Sequence, residues 1–71
     1  MAEVTTINPP AFLAQLSGAY RIDIGARVVK MYRYDGSVSH RAKRSAMPSD
    51  FESSSYLEMV EAIRNRGERI P

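Results

Sequence analysis

Tyr20, Ile22 and Ile24 alternate with Arg21 and Asp23, the two-residue period of a half-buried strand. Gly25-Ala26 then predicts a tight reversal with glycine first, in the type II′ form, and Asp35-Gly36 predicts a second in the type I′ form. Two-residue loops at both turns set Ile22 opposite Val29, Tyr20 opposite Met31, Met31 opposite His40, and Val29 opposite Ala42. One face of this three-stranded meander collects Tyr20, Ile22, Ile24, Val29, Met31, Val38 and Ala42, the makings of a core. The other collects Arg21, Asp23, Val28, Lys30, Tyr32, Tyr34, Ser37, Ser39, Arg41 and Lys43. Arg27, Arg33 and His40 fall on the rim of the apolar face.

The flanking segments follow a helical period. Asn8 suits an N-cap and Pro9 a first helical position, and Phe12, Leu13 and Leu16 give the short helix after them one apolar side that Gly18 ends. Near the other end, Ser49 to Glu52 and Ser55 to Glu58 are two closely spaced capping boxes, either of which could start a helix. Tyr56, Met59, Val60 and Ile63 then recur on one side of a helix, with Gly67 as its C-cap. Residues 1 to 7 carry no period and read as an arm or a short edge strand. The expected architecture is α+β in one small domain: a short N-terminal helix, a three-stranded antiparallel β-meander, and a C-terminal helix packed on the sheet.

Composition narrows the chemistry. A chain of 71 residues buries only about 60% of its unfolded surface, which makes a partner or a homodimer a natural source of extra stability. It contains no cysteine, excluding disulfides and thiolate zinc sites, and the expected compartment is the reducing cytoplasm. No apolar run is long enough to span a bilayer and "MAEVTTINPP" lacks the regions of a signal peptide, so no membrane role is expected.

Net charge is only +2, but its distribution is uneven. Residues 20 to 44 hold seven Lys and Arg against two Asp, a balance of +5, whereas residues 45 to 71 hold three cations against five acids, a balance of −2. Such a patch attracts polyanions or acidic protein surfaces. Tyr32 and Tyr34 beside Arg21, Lys30, Arg41 and Lys43 form the constellation with most chemical content, since aromatic rings stack on bases while cations neutralise phosphates. The layout of residues 20 to 63, a basic hairpin followed by a helix, resembles the small archaeal chromatin proteins that lay a β-sheet on DNA. It departs from them in its serine content, its modest charge and the preceding "NPPAFLAQLS", and it shares no diagnostic motif.

Catalysis has no support in the pattern. His40 is the only histidine and has no acidic neighbour in the expected register. Asp50, Glu52, Glu58 and Glu61 read as complements to a helix dipole, and the four glycines stand at separate turns and form no phosphate loop. No cofactor, metal or small-molecule substrate is expected. The expectation is a non-enzymatic module that binds nucleic acid through its basic, tyrosine-bearing hairpin. The alternative is a small inhibitor or adaptor of bacterial or phage type that docks on a larger, nucleic-acid-handling protein by occlusion, with Leu57 and Met59 as its interface.

Overall fold

A computed structural model describes residues 3 to 71. Its sheet has five antiparallel strands where the sequence reading expected three: β1 (Thr5–Ile7), β2 (Arg21–Ile24), β3 (Val28–Tyr32), β4 (Val38–Lys43) and β5 (Glu68–Arg69), side by side in chain order. The two additional strands correct the expected three-stranded meander. Each closes one edge of it, β1 pairing Ile7 with Ile22 and β5 pairing Arg69 with His40. At three and two residues, they are too short to show a period of their own and form because a strand edge with unpaired N–H and C=O groups is waiting. Of the segment read as arm or edge strand, residues 1 and 2 lie outside the described residues.

Both expected turns differ in type. Gly25 donates to Val28 O (2.9 Å), so the first turn centres on Ala26-Arg27, and Gly25 lacks the positive φ that type II′ requires. The register consequently moves by two residues, with Ile22 opposite Met31 and Ile24 opposite Val29. An even shift leaves every side chain on its expected face. In the second turn only Gly36 has positive φ (87°), while Arg33 N–H donates to Ser37 O (2.8 Å), a three-residue loop with a left-handed glycine. Asp35 completes it by accepting from Ser37 N–H (2.9 Å) and Oγ (2.6 Å).

That loop carries an irregularity into β4. Val38 faces Tyr32 and His40 faces Met31, leaving Ser39 as the extra residue of a bulge, buried and donating to Met31 O (3.2 Å). Val38 therefore leaves the core row that the regular hairpin assigned it. Tyr20, too, is only half-buried and stands outside the core cluster.

Helix α2 (Tyr56–Arg66) packs on β3 and β4 and buries Met59, Val60 and Ile63. The Ser55 box starts it: Ser55 Oγ accepts from Glu58 N–H (3.3 Å) and Glu58 Oε1 accepts from Ser55 N–H (3.1 Å). The Ser49 to Glu52 box forms no cap; Phe51 stands there in a short 3-10 turn and is the largest fully buried side chain. Tyr56 ties α2 to the start of β2, its hydroxyl donating to Ala19 O (3.2 Å), and burial pushes its pKa up to about 12.

Helix α1 (Ala11–Ser17) starts two residues later than expected, with Pro10 as its N-cap, and ends at Gly18 with φ 72°. It packs on α2, and of its expected apolar side Leu13 is half-buried. Ala14 is buried, whereas Phe12 and Leu16 are 68% and 72% exposed.

Candidate nucleic-acid interface

Alternation along the strands decides which side chains leave the core. With Ile22, Ile24, Val29, Met31 and Ala42 buried under α2, their neighbours Arg21, Asp23, Lys30, Tyr32, Arg41 and Lys43 point to the opposite face. Lys30, Arg41 and Lys43 are exposed there, with no helix over them. Five of the six residues expected to bind nucleic acid are thus brought together.

Their arrangement is set by cross-strand pairing. One row runs Thr6, Asp23, Lys30, Arg41, Glu68, placing two cations directly opposite each other between two carboxylates. Like charges so placed destabilise a sheet. Lys43 stands one row away opposite Val28, and Arg21 opposite Tyr32. The Arg21 guanidinium carbon lies 3.9 Å from the centre of the Tyr32 ring, and its Nη2 donates to Asp23 Oδ2 (3.2 Å). Nε and Oδ1 of the same pair stand 3.1 Å apart, out of contact with solvent and off hydrogen-bond geometry, so that contact is Coulombic. Asp23 is thereby engaged by Arg21, and the ring of Tyr32 already carries a cation in the place a stacked base would take.

Tyr34 goes elsewhere. It is 82% exposed and meets Tyr20 edge to face, with ring centroids 5.1 Å apart, in a cleft with Arg33, His40, Arg64 and Arg69 at the end of the sheet. Sequence spacing had no means of finding this second cluster, because Arg64 arrives from α2 and Arg69 from β5. Of the residues proposed for a protein interface, Leu57 is 41% exposed while Met59 lies in the core at 4%, which removes it from any docking surface. Phe12 and Leu16, read as part of one apolar side of a helix, are exposed, and Leu16 shares a groove between the helices with Leu57.

Among the described residues, no group of three His, Asp or Glu is placed to hold a metal ion, and no helix is long and apolar enough to cross a membrane. Comparison with protein-family models, curated proteins and solved structures finds no match to this chain.

Proposed function

We propose that this chain is a non-enzymatic module that binds nucleic acid by laying the uncovered face of its sheet along a phosphate backbone. The observation that carries the reading is the juxtaposition of Lys30 and Arg41 on the helix-free face, flanked by Arg21 and Lys43. Each cation has a carboxylate on its other side, Asp23 and Glu68, but Asp23 is engaged by Arg21; the two cations still repel each other, and a polyanion lying between them reverses the sign of that interaction. Because Arg21 covers Tyr32, the contact is with phosphates and carries little base preference.

Fluorescence-anisotropy titration of single- and double-stranded oligonucleotides at several salt concentrations tests this. Lys30→Ala and Arg41→Ala should each weaken binding to all sequences about equally and lower the salt slope by about one unit. Absence of binding at low salt, where attraction is least screened, overturns it.

A second reading, an adaptor or inhibitor acting by occlusion, draws on the exposed Phe12, Leu16 and Leu57. Leu16→Glu should then leave folding and oligonucleotide binding intact but abolish partner capture. Sedimentation of wild type and Leu16→Glu tests a second copy of the chain as that partner.

A further inference from the structure

We infer that the cleft at the hairpin end of the helix-covered face is a second anion site, built for a phosphate carried on an aromatic base: a nucleotide, free or at the end of a strand. Its residues are separate from the sheet face, and it stands whether or not that face binds a backbone.

Three arginines line it from three elements, Arg33 after β3, Arg64 on α2 and Arg69 on β5. No carboxylate side chain lines the cleft, and none of the three arginines has an ion-pair partner among the described residues. Two are held in place by carbonyls. Arg33 donates to Val38 O (2.9 Å), Ser37 Oγ (3.1 Å) and Ile70 O, and Arg64 donates to Ser17 O. Such fixed heads lose little freedom when a ligand arrives. Asp35 acts on Arg33 from outside the cleft, but the cleft itself supplies no carboxylate; like charges so gathered repel, and a phosphate dianion relieves that repulsion by accepting from guanidinium N–H groups.

His40 sits at the centre, opposite Arg69 on β5, with Nδ1 3.1 Å from Ser39 Oγ. Burial, then Arg64, Arg69 and Arg33, hold its pKa below the usual range, so at neutral pH it is an uncharged donor or acceptor. The other groups facing it are the tyrosines: Tyr20 at the start of β2 and Tyr34 in the β3–β4 loop.

The aromatic wall narrows the ligand from any anion to a nucleotide. Tyr20 fixes Tyr34 at an interplanar angle of 83°, yet Tyr34 stays 82% exposed, a ring positioned beside the cations with surface left to stack on a base. The cleft, open to solvent, offers about 490 Å³ of space, within the roughly 300–1,000 Å³ typical of small-ligand sites.

Calorimetric titration of the full chain with adenosine monophosphate, adenosine and inorganic phosphate tests the site at low salt. The monophosphate should bind about tenfold or more tightly than inorganic phosphate, and adenosine should bind more weakly still. Arg64→Ala and Arg69→Ala should each weaken the monophosphate about tenfold or more. Both side chains are exposed, so folding is retained and can be checked by circular dichroism. Tyr34→Ala should reduce the monophosphate to the affinity of inorganic phosphate. By linkage, ligand should raise the NMR-measured pKa of His40.

Oligonucleotides with and without a terminal phosphate, compared in a Lys30→Ala background, separate the sources. A preference for the phosphorylated end that Arg69→Ala removes assigns the site to strand ends; no preference, with monophosphate binding retained, assigns it to free nucleotides. Equal binding of adenosine and the monophosphate, no binding at all, or indifference to both arginine substitutions overturns the site. Loss of backbone binding by the sheet face leaves the monophosphate result unchanged.

Discussion

Gly67→Ala should destabilise the protein by about 1 kcal/mol, from overpacking of about 1–3 kcal/mol less the roughly 0.4–1 kcal/mol gained by restricting the unfolded chain. Gly67 ends α2 with φ −99° and ψ 178°, extended angles that alanine adopts freely. The obstacle is contact. A Cβ there would sit 2.5 Å from Ile63 O, 3.0 Å from Arg41 O and 3.1 Å from Ala42 Cβ, and the two nearest atoms are backbone oxygens that cannot turn aside. Relief requires the last turn of α2 to open, because Ile63 belongs to it, and also to part from β4, which carries Arg41 and Ala42, pulling β5 off its edge. Urea denaturation followed by circular dichroism measures the cost. Gly67→Asn distinguishes the cause, since asparagine tolerates the left-handed conformation that glycine often supplies after a helix. It should be at least as damaging as alanine here. At Gly18, with φ 72° and nothing nearer than Arg64 Nη2 at 3.6 Å, asparagine should be tolerated better than alanine. A neutral or stabilising Gly67→Ala would refute the contact explanation.

Phe51→Ala should cost about 3–5 kcal/mol in the same assay, as aromatic truncations in cores do, whereas Tyr34→Ala should cost far less. Ser55→Ala should cost about 1 kcal/mol through loss of the cap. The Glu58 carboxylate is held below its ordinary range by hydrogen bonds from the Ser55 backbone and side chain, so it binds its proton less readily folded than unfolded. Its contribution is complete above the ordinary value of 4.5 and is lost as pH falls from there through the folded pKa; Glu58→Gln should flatten that part of the stability profile. Leu57→Glu should leave the circular dichroism spectrum unchanged, whereas Met59→Glu, placing a charge in the core, should unfold the chain.

Where local pattern and packing demand coincide, the residues themselves announce the structure. The alternation from Tyr20 to Ile24 marks β2, and the Ser55 box with Met59, Val60 and Ile63 marks α2, because burying one face imposes the period directly on the sequence. The basic face was legible for the same reason: parity assigns Lys30, Arg41 and Lys43 to it, and the two-residue error in the first hairpin left that parity intact.

Other features depend on what an element meets in space. Strands β1 and β5 exist because α1 and α2 return the chain to the open edges of the meander, which no pattern within Thr5–Ile7 or Glu68–Arg69 encodes. The apolar spacing of Phe12 and Leu16 implied burial, but on α1 it is Ala14 that is buried while both of them are left to solvent. Phe51 looked like part of a cap and became the centre of the core. The cleft around His40 joins side chains from positions 20 to 69. Periodicity reports which side of an element is apolar; only packing decides whether that side is covered and which distant charges become neighbours.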